Sequence, residues 1–339
     1  MDINIVDEGV IQWTAMPRGR DVQTKIKYSC NAPSKILLID IDGNCYNCEC
    51  EFWLPIKLGN ILDFANLSDV WESKISKEIQ QDIADKNYTF CAVEHCGITS
   101  SNINHTKYKI SINVDQSCQL ACPSCRKHQI YHQSGDIFDQ TQRYVTHIFK
   151  LLADFEHPIE ITMSGNGDVL SSQVYRPILT NWIPRDSQII HLFTNGLMMK
   201  SVLPNTNILP HIKSYSISID AGSKEVYEQV RKPGKFANLL ENLDWLAKNK
   251  AEFSNVSLNF CLQASNAHDI INFANLVKQY GFKGNISKIE NWATFDKFTE
   301  HDVINNTSHI LHDIAMEQLH SVKDLGHILL HPFLKNLLK

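Results

Sequence analysis

From residue 109 onward, two hydrophobic patterns take turns along the chain. Short stretches with apolar residues at every second position alternate with longer ones whose apolar residues recur three and four apart. The first period-two stretch, Lys109–Asp115, puts Ile110, Ile112 and Val114 on one face and Lys109, Ser111, Asn113 and Asp115 on the other. A helix is predicted from Asp139, with Gln142 as capping-box partner, to about Phe155. Strand Ile159–Ser164, a helix near Ser172–Trp182 and strand Gln188–Thr194 follow. Strand Ser214–Asp220 precedes helices starting near Ser223 and Phe236. Strand Asn255–Gln263, helix Ala267–Tyr280 and strand Asn285–Glu290 complete the series. Repeated strand–helix units imply a parallel sheet wrapped by helices. Six units fall short of the eight of a closed barrel, so the expected fold is α/β, a partial, open (β/α)6 barrel.

The alternation itself carries information. A parallel strand covered on both faces reads as continuous apolar sequence. Here Ser214, Ser216, Ser218 and Asp220 oppose Tyr215, Ile217 and Ile219, and Ser257, Asn259, Cys261 and Gln263 oppose Leu258, Phe260 and Leu262. Glu160, Thr162 and Ser164 oppose Ile159, Ile161 and Met163 in the same way. The apolar set packs on outer helices, and the polar set lines a lumen that can serve as a reaction chamber. Lys109, Glu160, His191, Lys288 and Glu290 are assigned to that lumen. A half-exposed antiparallel sheet is the alternative, which the intervening helices disfavour. Beyond the strands, Thr299–His309 and Ile310–Lys339 read as helical, with Leu325, Ile328, Leu329, Phe333 and Leu337 as an apolar stripe packing on the barrel. The domain division expected is 1–103, cysteine-rich; 104–295, barrel; and 296–339, C-terminal helices.

Bulk composition restricts the function class. At 339 residues, 43% hydrophobic and 20% charged, the chain resembles an ordinary globular protein. A net charge of −5 gives no basic field for nucleic acid. No apolar run reaches the ~18 residues of a membrane span and no export signal is legible, so the expected location is cytoplasmic, without membrane contact. Ten cysteines in such a compartment point to metal ligation over disulfides.

Cys118, Cys122 and Cys125 follow the first barrel strand as Cys-x-x-x-Cys-x-x-Cys. Three thiolates hold a [4Fe–4S] cluster only if one iron stays open, whereas fully ligated clusters use four. Zinc also takes four ligands, from paired cysteines as a rule. Three cysteines on one loop therefore point to a cluster whose open iron binds a small molecule, with zinc or incidental thiols as the alternatives. Barrel chemistry sits at the C-terminal strand ends. There the second strand gives Ser164-Gly165-Asn166-Gly167-Asp168, the third Thr194-Asn195-Gly196, and the fourth Ser218-Ile219-Asp220-Ala221-Gly222, then Tyr227 and Arg231.

This order of motifs, over about residues 108–295, resembles the radical S-adenosylmethionine superfamily. The resemblance implies that the methionyl amino and carboxylate groups chelate the open iron. It implies that Gly165, Asn166, Gly167 and Asp168 stand where that family's Gly-Gly-Glu element holds the amino group, with an Asn insert and Asp for Glu. Thr194 and Asn195 match its Thr-Asn-Gly turn, Ser218 and Asp220 would reach the ribose, and Arg231 the methionyl carboxylate. Ser124 stands where many relatives have an aromatic, leaving adenine contacts there to the backbone. The N-terminal segment, with Cys30, Gly43 and Cys48 in order and a later pair Cys91 and Cys96, resembles a SPASM/twitch module. The implied ligand set for an auxiliary [4Fe–4S] cluster is Cys30, Cys48, Cys91 and Cys96. Cys45 and Cys50 are left over, either of them a substitute for Cys48, and zinc remains the alternative metal. Such modules normally follow the barrel; this one precedes it. Cys261, on the lumen face of the fifth barrel strand, could donate hydrogen to a substrate radical, or be a plain buried side chain. His191 is a satisfied barrel histidine or a catalytic group.

The activity implied is reductive cleavage of S-adenosylmethionine to a 5′-deoxyadenosyl radical that takes hydrogen from an unactivated carbon. Peptide modification is the first reading, dehydrogenation or epimerisation of a sugar or other small metabolite the second. The implied partners are a peptide or small-molecule substrate and an external electron donor of flavodoxin or ferredoxin type. A non-catalytic zinc protein is the rival from another class.

Overall fold

The computed structural model describes residues 26–48, 54–93, 96, 101–164, 166–250 and 254–339. The expected alternation of strand and helix is present, inside one ten-stranded sheet. At its N-terminal end lie β1 (Ile36–Ile39), β2 (Asn44–Tyr46) and β3 (Gly59–Asn60), then α1 (Leu67–Glu72) and α2 (Lys74–Ala84). The barrel repeats are β4 (Tyr108–Ile112), α3 (Asp136–Asp154), β5 (Ile159–Met163), α4 (Tyr175–Asn181), β6 (Gln188–Thr194), α5 (Met199–Val202) and β7 (Ile212–Ser218). They continue through α6 (Lys224–Val230), α7 (Phe236–Asn249), β8 (Asn255–Leu262), α8 (Ile270–Tyr280) and β9 (Lys283–Lys288). The chain then forms α9 (His312–Val322), β10 (Ile328–Leu330) and α10 (Pro332–Leu337). No helix of the described residues is long and apolar enough to cross a membrane.

The sheet order is β10-β9-β8-β7-β6-β5-β4-β1-β2-β3. Every neighbouring pair from β10 to β1 is parallel, and β2 and β3 are antiparallel. Eight strands are thus parallel, two more than the expected six. The extra ones are β1, which pairs Ile36–Ile39 with Lys109–Ile112, and β10, which pairs Ile328–Leu330 with Gly284–Ile286. The barrel stays open because the outer edge of β1 is taken by β2, at Leu38↔Tyr46 and Ile39↔Cys45.

The two-faced strands behave as their pattern requires. Ile110, Ile112, Ile159, Ile161, Met163, Ile217, Leu258 and Phe260 are buried against helices, while Lys109, Ser111, Glu160, Thr162, Ser216 and Asn259 are half-buried on the other face. One continuous apolar core joins the N-terminal segment to the barrel. Trp71 on α1 lies 4.8 Å from the ring of Tyr108 on β4, which meets Phe155 edge-on at 5.2 Å. Such pairs contribute about 0.5–1.5 kcal/mol each beyond area burial. The Trp71 indole also donates to the Ile36 carbonyl (3.3 Å). The cysteine-rich segment is therefore built onto the barrel sheet.

Two expectations are corrected. Helix α3 starts at Asp136, three residues before Asp139, because Gly135 turns the chain at φ +88° and Asp139 falls in the first turn, where an acid complements the helix dipole. The C-terminal segment is not a run of amphipathic helix. The Asp302 carboxylate accepts the Ile304 and Asn305 amides, an Asx turn that competes with helix formation. Gly326 and Pro332 then frame β10, which is drawn to the otherwise free edge of β9. Of the expected stripe only Ile328 is buried; Leu325, Leu329, Phe333 and Leu337 are exposed.

Candidate metal and cofactor site

The loop after β4 is a tight structure of its own. The Cys118 amide donates to the Ile130 carbonyl (2.8 Å) and that of Ala121 to the Lys232 carbonyl (2.7 Å). The Cys125 and Arg126 amides both donate to the Cys122 carbonyl, at 2.8 and 2.9 Å, which folds Cys125 back beside Cys122. Cys118 and Cys122 are buried and Cys125 is exposed. Burial pushes the Cys118 thiol up to about 11 and raises that of Cys122, against the lowering pull of Arg231. An occupying metal would reverse this, because a coordinated thiol is deprotonated outright.

The loops that follow β5, β6 and β7 converge on these cysteines. Gly167 lies so close that a Cβ there would sit 2.3 Å from the Ser117 carbonyl oxygen and 2.6 Å from the Gln116 carbonyl carbon. The Asp168 amide donates to the Ser117 carbonyl (2.8 Å). Arg126 ties the two loops from the other side, donating to the carbonyls of Gln116 (2.6 Å) and Asn166. Gly165 lies outside the described residues. Asn166 is exposed, with its amide 3.5 Å from the Asn113 carbonyl.

Asp168 was expected to receive an ammonium group and Asp220 to reach a ribose. Both are instead buried, at 2% and 3% exposure, with carboxylates engaged inside the protein. Asp168 accepts the Leu170 amide on one oxygen (2.9 Å) and the Thr194 hydroxyl (2.8 Å) and Asn195 amide (2.7 Å) on the other. Burial raises its carboxyl while these donors pull it down. Asp220, at φ +55°, accepts the Cys261 amide on one oxygen (2.7 Å) and the Arg231 guanidinium on the other (2.6 Å). Thr194 likewise points inward, its hydroxyl also accepting the Gly196 amide (3.1 Å).

Asn195 and Arg231 reach the cysteines themselves. The Asn195 amide donates to Cys118 Sγ (3.7 Å), and Arg231 Nη1 to Cys122 Sγ (3.7 Å). Arg231 Nε is buried with no partner among the described residues. Ser218 is half-buried on the lumen side of β7, in register with Asn259. Cys261 is half-buried at the end of β8, beside the Asp220–Arg231 pair, and burial pushes its thiol up to about 12.

Some participants were not anticipated. Gln119 and Asn195 exchange hydrogen bonds (3.0 and 3.1 Å). Asn266 bridges the carbonyls of Asp220 (3.0 Å) and Cys261 (2.9 Å). Asp269 accepts the Gly222 and Ser223 amides, at 2.6 and 3.0 Å. Asn266 and Asp269 sit after β8, and their place at a C-terminal strand end was the available signal.

The lumen floor is a polar ladder. Asn285 donates to Asn259 (3.0 Å), which donates to Ser216 (2.7 Å), and His191 Nδ1 pairs with the Ser214 hydroxyl at 2.6 Å. Glu160 lies 3.2 Å from Lys107, 3.8 Å from Lys109 and 3.7 Å from His191. His191 is thus a satisfied barrel histidine, its pKa lowered first by burial.

In the N-terminal segment Cys30, Cys48, Cys91 and Cys96 line one cavity, together with Leu54 and Tyr88. The Cys91 thiol is raised by burial and then by Cys48, Cys30 and Cys96, so the four sulfurs share one environment. Among the described residues no three His, Cys, Asp or Glu side chains converge to hold a single metal ion. A ring of sulfurs around a cavity suits a cube with one thiolate per iron. Cys45 is removed from candidacy: it is fully buried within β2, away from the cavity. Cys50 lies outside the described residues. Gly43, at φ +75°, has the Tyr144 ring 2.4 Å from where a Cβ would stand, which makes glycine obligatory between Cys30 and Cys48.

Residues 30–97 match the SPASM family, an iron–sulfur cluster-binding domain. No curated protein matches the chain. Among solved structures, Streptococcus suis SuiB bound to its precursor peptide SuiA aligns at TM-score 0.41 and 10% identity, over 66% of this chain and 48% of that one. Native anSMEcpe with bound AdoMet and Cp18Cys peptide aligns at TM-score 0.45 and 14% identity, over 66% and 63%. TYW1 with a lysine–pyruvate adduct aligns at TM-score 0.38 and 16% identity, over 62% and 70%. The chain spans about half the length of SuiB. The SPASM match places an iron–sulfur cluster-binding domain directly before the Cys118–Cys122–Cys125 loop in the chain. Residues 30–97 thus match an iron–sulfur cluster-binding domain of the SPASM family, and the Cys118–Cys122–Cys125 loop stands beside it at the C-terminal strand ends of an open parallel barrel.

Proposed function

We propose that this protein reductively cleaves S-adenosylmethionine and uses the 5′-deoxyadenosyl radical to take hydrogen from an unactivated carbon of a peptide. The observation that carries the reading is the convergence of the loops after β5, β6 and β7 on one three-cysteine loop, above a polar lumen. Cys118, Cys122 and Cys125 would hold a [4Fe–4S] cluster with one open iron, and Cys30, Cys48, Cys91 and Cys96 an auxiliary one. Bound there, cluster and cofactor supply one-electron cleavage of the sulfonium, giving methionine and the adenosyl radical. The chain's own residues do the rest. Arg231 Nε, a buried donor without a partner among the described residues, is available to a methionyl carboxylate, whose planar geometry a guanidinium matches. Asn166 and Gly167 offer backbone at the rim, and Ser218 a hydroxyl on the lumen side. An external one-electron donor of flavodoxin or ferredoxin type supplies the electron.

Peptide modification leads because it is the commonest role in the branch that the motifs resemble. Dehydrogenation or epimerisation of a sugar or other small metabolite is second. One observation favours an epimerising outcome in either class: burial keeps the Cys261 thiol protonated beside the Asp220–Arg231 pair, at the lumen end of β8. Its S–H could return a hydrogen atom to a carbon radical and leave a thiyl to be reduced.

The test is anaerobic reconstitution with iron and sulfide, iron counting, and a dithionite assay for 5′-deoxyadenosine. About eight irons and 5′-deoxyadenosine release are expected. Colourless, zinc-loaded protein releasing none would overturn the reading. A candidate substrate turned over in D2O separates outcomes, since solvent deuterium at the attacked carbon requires an exchangeable donor such as Cys261.

A further inference from the structure

Two buried aspartates stand behind the cysteine loop, on different strand ends, in matching arrangements. Asp168 follows β5 and binds the Asn195 amide at 2.7 Å; the Asn195 side chain in turn donates to Cys118 Sγ. Asp220 follows β7 and binds Arg231 Nη2 at 2.6 Å; Arg231 Nη1 in turn donates to Cys122 Sγ. Each buried cysteine thus has one side-chain N–H donor on its sulfur, that of Cys118 beside the Leu120 amide (3.4 Å), and each side-chain donor has one buried carboxylate behind it. Every oxygen of the two carboxylates already accepts a hydrogen bond from within the protein, and both aspartates are almost fully buried. Gln119 completes the first set through its paired hydrogen bonds with Asn195.

We infer that Asp168 and Asp220 are positioning residues that aim Asn195 and Arg231 at the two buried cysteine sulfurs, and that this brace sets the reduction potential of a cluster held by them. The inference rests on the radical S-adenosylmethionine reading and deepens it. Hydrogen bonds to cluster sulfurs and nearby charge are among the factors that set an iron–sulfur potential. Reduction adds an electron, so a donor or positive charge at a sulfur favours the reduced form, and a negative charge opposes it. The Arg231–Asp220 pair is almost fully buried, at 13% and 4% side-chain exposure, so removing one partner leaves the other charge poorly screened. The two members of the pair must then act with opposite sign.

The experiment is a mediated potentiometric titration with dithionite, followed by electron paramagnetic resonance on the full chain. The barrel cluster is identified as the signal that changes when S-adenosylmethionine is added. Asp220→Asn leaves the guanidinium uncompensated and should raise the potential. Arg231→Gln and Asn195→Ala remove a donor and should lower it, whereas Arg231→Lys, keeping the charge, should fall between Arg231→Gln and the parent protein. The expected size is about tenfold in the reduction equilibrium for each member of the ion pair, which is about 59 mV for a one-electron couple. If Arg231→Gln no longer retains iron, Asn195→Ala supplies the downward arm. Shifts of the same sign for Asp220→Asn and the donor variants, or none beyond measurement error, overturn the inference while leaving the proposed activity standing. A parent protein with no S-adenosylmethionine-sensitive signal overturns the activity first, and the inference with it.

Discussion

Replacing Gly167 by alanine places a methyl group where the loop after β5 touches the cysteine loop backbone to backbone. The new Cβ would stand 2.3 Å from the Ser117 carbonyl oxygen and 2.6 and 2.8 Å from the Gln116 carbonyl carbon and oxygen, where ordinary contact begins at 3.4 Å. Relief needs about 1 Å of separation between two backbones, and neither can yield alone. Ser117 immediately precedes Cys118, and its carbonyl also accepts the Asp168 amide (2.8 Å) and the Ser171 hydroxyl (3.3 Å). Overpacking costs about 1–3 kcal/mol, and weakening one buried hydrogen bond adds about 1 kcal/mol. For 339 residues the unfolding entropy is roughly 0.7 kcal/mol per kelvin, so about 3 kcal/mol lowers Tm by roughly 4 °C. The displacement falls on Cys118, so iron in the barrel site should drop while the SPASM site keeps its own. Differential scanning calorimetry of the iron-free protein and iron counting after reconstitution read the two effects. An unchanged Tm with full iron would refute the claim that this contact shapes the cysteine loop.

The remaining predictions are shorter. Alanine at Cys30, Cys48, Cys91 or Cys96 should remove the auxiliary cluster, about four of about eight irons, whereas Cys45→Ala should leave the iron count unchanged, as elemental analysis would show. Cys261→Ala should abolish solvent deuterium in an epimerised product without suppressing 5′-deoxyadenosine release in the absence of substrate; retained label would discharge Cys261 from the donor role. The folded-state pKa of His191 lies below 6.5, first because of burial, so the unfolded chain binds the proton more readily. The contribution of neutral His191 is therefore full above the unfolded pKa and lost as pH falls through the folded one. His191→Gln should flatten the acid side of a Tm-against-pH profile, and an unaltered slope would contradict the assignment.

Legibility in the sequence followed the physics of each segment. The six repeats from β4 to β9 were readable because one face of each strand packs on helices and the other lines a wet lumen, which leaves a clean period of two. Ile159–Met163 and Asn255–Leu262 are examples. β1 carries no sign of a barrel strand, since Ile36–Ile39 is apolar at every position and gives no face. β10 reads as helix from the sequence because its three residues carry no usable period, and only pairing with Gly284–Ile286 makes them extended. At the site, residue types identified the cysteine loop, Asn195 and Arg231. They misdirected Asp168 and Asp220, because an aspartate after a strand reads alike whether its carboxylate faces a ligand or turns inward onto backbone amides.

The placement of the SPASM segment before the barrel has a geometric consequence. A module that follows a barrel extends it from the last strand, whereas one that precedes it has access to the first. Here β1 lies parallel to β4, and Cys30, six residues before β1, forms a bridge with Ile103, five residues before β4. The four-cysteine cavity is thereby anchored on the strand that leads into Cys118–Cys125, not on the far edge at β9 and β10. Because β2 covers the outer edge of β1, this side of the sheet is sealed, and the opposite edge at β10 stays free of a strand partner among the described residues. A substrate that reaches the lumen across a sheet edge would pass exposed Leu329 and Phe333 and the Lys288–Glu290 pair (2.7 Å) on the β10 side. Charge reversal at Lys288 should then weaken substrate binding while leaving substrate-free cleavage of S-adenosylmethionine intact. Equal loss of both would place substrate access elsewhere.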